Sequence, residues 1–470
     1  MIPRFRKNEK ELSCMKTILR GGTVINASGR QRADVLIEDE KIIAVAPELS
    51  CADAAVIDVA GKLLFPGFID AHTHFDLDVC NTTTADDFYT GGRSALRGGT
   101  TMVIDFACPN KGETLQYGLD LWHKKADGRT ACDYSFHMTI DDWNDEIIAE
   151  LPKMFEQGVS SFKMYLTYPA MMIGDENIFH ALRELKKLGG IAGVHCENAG
   201  VIDALIAEKK AAGELSPASH PQCRPSELEA EAVGRLLKMA KVADIPVVVV
   251  HLSSAAGLRE IEAARATGQK VFVETCPHYL LLDDSRYCLP DFEGAKYVCA
   301  PPLRKKLDNE VLWQALADGE IQTVSTDHCS FTLAQKDAGR GDFTKIPGGM
   351  PGVETRGVLL YTYGVAAGRI TAERMADVLS ETPAKLYGAF PRKGCIAPGA
   401  DADIVVYDPE GTSKITAADQ VANVDYAPYE GFEIAGHIAK VYLRGKLAVE
   451  EGRVLDERGG RFIPRGKCEL

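Results

Sequence analysis

From residue 63 to residue 326 the chain keeps returning to one pattern: an apolar run of strand-like composition, then a helical stretch before the next such run. The runs cover 63–71, 100–106, 134–140, 161–166, 191–195, 247–251, 271–275 and 322–326. Between them, 226–243 is the clearest helix, with Leu and Val at helical spacing and acidic residues in its first turns. Strands separated by helix-length connections cannot pair as hairpins, so the sheet they form is parallel. Eight such units predict an α/β fold, a (β/α)8 TIM-type barrel. The two chain ends read differently. Short β-like runs at 18–20, 23–25, 34–37 and 41–45 are separated by turns, and a similar texture returns at 402–407 and 437–443. Neither end makes a core alone, so both are expected to meet in one small β-sandwich. The expected division is a disordered extension at 1–14, the sandwich at 15–64 and 388–462, the barrel at 65–387 and a tail at 463–470.

Chemistry-bearing residues gather where the predicted strands end. His72 and His74 end the first, Lys163 lies in the fourth, His195 ends the fifth, His251 the sixth, and Asp327 follows the eighth. Alternate residues of a strand point the same way, so His72 and His74 share a side. Parallel barrels keep their active sites at the C-terminal mouth, and two neutral imidazoles there could hold a metal ion. A single His at a strand end is ordinarily a satisfied polar residue. Convergence from separate crossover units is what gives the set weight. Lys163 is the odd member, because an ammonium would repel metal ions and is costly to bury unpaired. It is either a surface side chain with a buried stem, or a neutral amine able to add carbon dioxide and bridge two metals as a carbamate.

Composition narrows the partners. A net charge of −14 argues against nucleic acid or an anionic membrane as the main partner and favours a small neutral ligand. The most hydrophobic run, 245–250, is far too short to span a membrane, and no secretory apolar region is present. Thirteen cysteines without CxxC spacing read as reduced thiols, hence a cytoplasmic protein. Cys196 and Cys329, beside metal-type residues, are either ligands or small packing residues.

Five stretches together resemble a known family: Phe65-Pro66-Gly67-Phe68-Ile69-Asp70-Ala71-His72-Thr73-His74, Phe162-Lys163-Met164-Tyr165-Leu166-Thr167-Tyr168, Val194-His195-Cys196-Glu197-Asn198, Val250-His251-Leu252-Ser253 and Ser325-Thr326-Asp327-His328. In this order they resemble the cyclic amidohydrolases of the dihydropyrimidinase and D-hydantoinase (phenylhydantoinase) branch, over 16–462. The resemblance implies two Zn2+ per subunit, one held by His72, His74 and Asp327, the other by His195 and His251, with N6-carboxylated Lys163 between them. It implies hydrolytic opening of a cyclic imide or ureide to an N-carbamoyl amino acid by a metal-bridging hydroxide. Tyr168 would stabilise the developing oxyanion, and Asp327 would carry the proton to the leaving nitrogen. Backbone groups at Ala300 and Gly348, where relatives carry serine and asparagine, would hold the imide edge.

Dihydroorotase-like relatives have an arginine where this chain has Asp76, so the substrate is expected to be neutral. Loops 75–84 and 165–174, with Leu77, Val79 and Met172, would form an apolar pocket for the ring substituent. His137, His328, Glu197 and Asp105 either orient ligands or pack. The family also implies a homotetramer or homodimer, with 426–432 aiding assembly. An allantoinase and a non-catalytic scaffold are the competing readings, and hydantoin and dihydropyrimidine rings present nearly the same edge.

Overall fold

The apolar run at 63–71 breaks at Gly67, and the break decides the architecture. A Cβ at that position would lie 2.0 Å from Thr101 Oγ1, so only glycine fits. Leu63–Pro66 before it and Phe68–Thr73 (β1) after it belong to different sheets, a correction to the single strand expected there. The structure is a computed structural model and describes residues 16–470; the expected extension at 1–14 lies outside the described residues.

Leu63–Pro66 is the seam between the chain ends. It pairs in parallel with Lys16–Asn26 and antiparallel with Ile404–Lys414. Around it the described terminal strands make one nine-stranded sheet, from Arg453–Val454 at one edge to Lys41–Ala46 at the other. The sheet is backed by its own apolar cluster, including Leu19, Val35, Leu64, Ile404 and Tyr442. The two ends thus meet in one β module beside the barrel. Lys393 ties the two bodies together, its Nζ lying 2.6 Å from Asp133 in the barrel and 3.0 and 2.7 Å from Asp401 and Asp403, which lead into the terminal sheet.

The barrel strands run in sequence order around an eight-stranded parallel sheet: β1, Thr100–Ala107 (β2), Asp133–Thr139 (β3), Ser161–Tyr165 (β4), Ile191–His195 (β5), Val247–Val249 (β6), Val271–Thr275 (β7) and Thr323–Val324 (β8). The helix Ser226–Ala243 lies where the sequence puts it. Two strands are shorter than expected. β6 stops before His251 and β8 before Asp327, because both residues take left-handed backbone, φ 40° and 49°, which ends a strand.

No ladder joins β8 to β1; side chains close the barrel instead. Arg356, fully buried, donates from Nη1 to the carbonyls of Ile69 on β1 (2.8 Å) and Val324 on β8 (2.9 Å), and from Nη2 to Thr100 Oγ1 (2.9 Å). Asp70 on β1 accepts from Thr326 N (3.1 Å) and Thr326 Oγ1 (2.7 Å). The C-terminal tail docks under β3, where Arg465 donates to Ser135 Oγ (2.8 Å) and Tyr387 O (2.9 Å). Replacing Arg356 by Met leaves Asp70 buried without its cation and frees two strand carbonyls. A loss of about 3–5 kcal/mol is expected, read as a fall in the urea unfolding midpoint.

Candidate active site

At the mouth of the barrel, β1 and β8 bring His72, His74 and Asp327 together. His72 Nε2 and His74 Nε2 each lie 3.2 Å from Asp327 Oδ1. One donor atom from each of the three lies within 4.8 Å of the others, a group that could hold a metal ion. His72 Nδ1 donates to Glu274 Oε1 at 2.6 Å, which turns the Nε2 lone pair toward the mouth. Burial holds the pKa values of His72, His195 and His251 down, so all three imidazoles are neutral. His72 Nε2, His74 Nδ1 and His251 Nδ1 are buried with no hydrogen-bond partner. Several unpartnered imidazole nitrogens buried in one place are expensive, and this donor set fits a cation.

His195 and His251 face each other with ring centroids 4.5 Å apart, and His251 is 5.4 Å from His72. His195 Nε2 is engaged by Glu197 Oε2 at 2.7 Å, and Arg224 Nη1 donates to the same oxygen at 2.5 Å. Lys163 on β4 is buried, its Nζ 5.0 Å from the Phe106 ring and 5.1 Å from the Tyr165 ring. Among the described residues it has neither a hydrogen bond nor an ion pair with a carboxylate. Burial lowers its pKa to about 8. The alternative of a surface lysine is thereby overturned.

Three site residues share a backbone feature. Tyr168 (φ 66°), His251 (φ 40°) and Asp327 (φ 49°) are all left-handed, at about 1–3 kcal/mol each for a residue with a side chain. Local bonds hold them there. Tyr168 O accepts from Met171 N and Met172 N at 2.8 Å, His251 N donates to Glu274 Oε1 (3.2 Å), and His328 N, next to Asp327, donates to His72 O (3.3 Å).

A cavity of about 460 Å3 opens over these groups, and Tyr168, Ala300 and Gly348 all line it. Its apolar wall is Leu77, Val79, Met171, Ile206, Phe343 and Ile346. Met171 lines the wall where Met172 was expected. Asp76 is not on the wall either: its carboxylate faces Lys125 at 3.9 Å, so it does not act on a ligand by contact. Burial raises the pKa of the Tyr168 phenol, keeping it a proton donor.

The residues left open by the sequence now have places. His137 donates to Ala71 O (3.0 Å) and pairs with Ser161 Oγ (2.6 Å), while His328 is fixed by Asp86 (3.0 Å) and by Gly352 N and Val353 N. Asp105 accepts from Thr73 Oγ1, Phe75 N and Trp122 Nε1. Cys196 packs and donates to Val194 O, whereas Cys329 lines the cavity. In the 426–432 segment, Tyr426, Ala427 and Tyr429 are buried within the chain itself, so these side chains are not an exposed assembly surface. Glu274, Arg224 and Lys336 were missed. Glu274 had a signal, an acid inside the apolar run Val271–Thr275; Arg224 had none.

Comparison with known proteins agrees with this geometry. Residues 63–448 match the amidohydrolase family, and the chain belongs to it. Within the family the similarity runs the full length. The D-hydantoinase of Streptomyces coelicolor is 45% identical over 97% of this chain and 99% of its own, and that of Geobacillus stearothermophilus 43% over 96% and 97%. The crystal structure of dihydropyrimidinase from Brevibacillus agri NCHU1002 superposes with a TM-score of 0.95 at 43% identity, over 96% of this chain and 99% of that one. The chain is therefore a member of the D-hydantoinase and dihydropyrimidinase group. No helix among the described residues is long and apolar enough to cross a membrane. Since Glu274 fixes the His72 tautomer, Glu274→Gln should weaken divalent metal retention about 10–100-fold, measured by competition with a chelator.

Proposed function

We propose that this chain hydrolyses a neutral cyclic ureide or imide, a 5-monosubstituted hydantoin or a 5,6-dihydropyrimidine, to the N-carbamoyl amino acid. The observation that carries this reading is the convergence of His72, His74, His195, His251, Asp327 and a buried Lys163, which makes no ion pair among the described residues, on one cavity whose remaining wall is mostly apolar. We assign two Zn2+ to the mouth, one with His72, His74 and Asp327, the other with His195 and His251, and read Lys163 as the carbamate between them. Its lowered pKa supplies the neutral amine that addition of carbon dioxide needs. When bound, such ions bring the pKa of water near neutrality and polarise a carbonyl.

The chain's own groups do the rest. The Tyr168 phenol, kept protonated by burial, donates to the substrate carbonyl oxygen as it gains charge. Arg224, whose guanidinium lies 5.6 Å from the Tyr168 ring, steadies that ring from the side. In Asp327 both imidazoles crowd Oδ1, which leaves Oδ2 to take a proton from the attacking water and pass it to the ring nitrogen as the C–N bond breaks. The apolar wall shields the reaction from bulk water and receives the ring substituent. The D-hydantoinase and dihydropyrimidinase relatives favour these two ring classes.

The test is a panel of dihydrouracil, 5-substituted hydantoins and allantoin with metal analysis of the purified protein. Turnover of either of the first two classes above allantoin, with two metals per chain, is expected; a metal-loaded chain inert toward all three would sink the reading. Tyr168→Phe should lower kcat about 10²–10³-fold at unchanged metal content. Carbon-13 NMR after exposure to labelled bicarbonate should show a carbamate carbon that Lys163→Ala abolishes.

A further inference from the structure

Lys336 is a buried cation with no use in the scheme above. It sits in a short helix, Leu333–Asp337, and is 1% exposed. An ammonium has three N–H donors, and here each finds a carbonyl: Val298 O at 3.0 Å, Pro347 O at 2.6 Å and Gly349 O at 2.7 Å. No carboxylate pairs with it among the described residues. The three carbonyls lie on the two loops that carry Ala300 and Gly348 to the cavity. The loops also bond directly, Gly349 N donating to Val298 O at 2.9 Å.

The neighbouring backbone is fully committed as well. His220 Nε2 donates to Cys299 O (2.7 Å), Tyr279 Oη to Pro301 O (2.6 Å) and Cys329 N to Met350 O (3.2 Å). Against this background, the amide and carbonyl groups of Ala300 and Gly348 form no hydrogen bond with any described residue, and both residues line the cavity. A Cβ built on Gly348 meets nothing within 4 Å. The flanking carbonyls of Val298, Cys299, Pro301, Pro347 and Gly349 are all tied back, while those of Ala300 and Gly348, both half-buried at the cavity, stay free to meet a ligand.

We infer that Lys336 is a positioning residue for substrate recognition, its ammonium clamping the two loops so that the free backbone groups of Ala300 and Gly348 present one fixed donor and acceptor edge to the ring. This rests on the proposed hydrolase reading only for what the ring is. The edge is a backbone edge, so the loss of serine and asparagine side chains at these positions does not remove it. Its spacing depends on the clamp, and with it the choice between five- and six-membered rings. A planar guanidinium cannot point three donors in tetrahedral directions, and a neutral amide has only two.

The test compares Lys336→Met and Lys336→Arg with the parent, as full-length, metal-loaded protein. Amide hydrogen exchange in 298–301 and 346–350 should be faster in both variants, more so in Lys336→Met, with 323–326 unchanged. KM for dihydrouracil and a 5-substituted hydantoin should rise about tenfold or more while kcat and metal content stay within about threefold, and the kcat/KM ratio of the two rings should shift about fivefold or more. Unchanged exchange in both loops overturns the inference, as does a loss confined to kcat and metal content with KM unmoved. If the parent turns over neither ring, the hydrolase reading has failed, and exchange alone decides Lys336. If Lys336→Met does not fold, Lys336→Arg carries the same comparison.

Discussion

The mouth of this barrel depends on how its first and last strands are joined. A parallel barrel closes by hydrogen-bonding its last strand to its first, but here β8 is two residues long and makes no ladder with β1. Asp70 and Arg356 do that work from inside the wall. Asp70 holds Thr326, the residue before Asp327, and itself stands two positions before His72. One carboxylate therefore sets the distance between the acid of the eighth strand end and the imidazoles of the first. Beyond it, His328 N and His74 N exchange bonds with His72 O and His328 O, so the register continues up to the reacting groups. Short hydrogen-bonded contacts of this kind are stiff, and a misplacement of about 1 Å at an active site can cost about 10²-fold in rate.

The electrostatics follow from the same enclosure. Burial strips water from His72, His195, His251 and Lys163 and pushes each toward its neutral form. The nearby carboxylates answer the opposite pressure. Glu197 is held down to about 2: burial alone would raise it, but Arg224 and His195 outweigh that. Asp327 is kept well below the usual carboxylate range by the His72 and His74 side chains against the same opposing burial. The result is a mouth lined by lone pairs and anions, with its one amine far easier to deprotonate than a solvated lysine. That is the charge arrangement a cation would stabilise, and it explains how so many imidazoles can be packed together without mutual repulsion.

Much of this was legible in the sequence, for identifiable reasons. Strand ends are visible because apolar runs stop, and a strand carries its chemistry at a fixed parity, so His72, His74, Lys163 and His195 could be placed before any coordinates. His251 and Asp327 could be named, but the strands leading to them were drawn too long, since a left-handed turn at a residue other than glycine or asparagine leaves no mark in composition. Gly67 was visible as a letter, yet the Thr101 side chain that excludes a Cβ comes from 34 residues along the fold, a contact sequence spacing does not encode. Asp76 misled because position after the His-x-His pair was taken for direction; the chain turns there, at φ 52°, and sends the carboxylate to Lys125.

The residues that escaped, Arg356, Glu274, Arg224 and Lys336, have a common character. Each is a charged side chain, buried, and bonded to groups outside its own element: strand carbonyls, an imidazole, a partner carboxylate, loop carbonyls. A solitary Lys or Arg in a polar stretch is most often a solvated surface residue, so nothing in the local pattern distinguishes Arg356, Arg224 or Lys336, and only Glu274, set inside an apolar run, left a mark. What distinguishes them is the absence of water, which makes any unmet donor expensive and forces the surrounding backbone to come to the charge. In this fold the imidazoles at the mouth are thus announced by strand parity, whereas the groups that fix their positions are selected by burial. At Ala300 and Gly348, which line the cavity with little or no side chain, the backbone itself forms the wall, and the atoms that hold that backbone lie elsewhere, on Lys336.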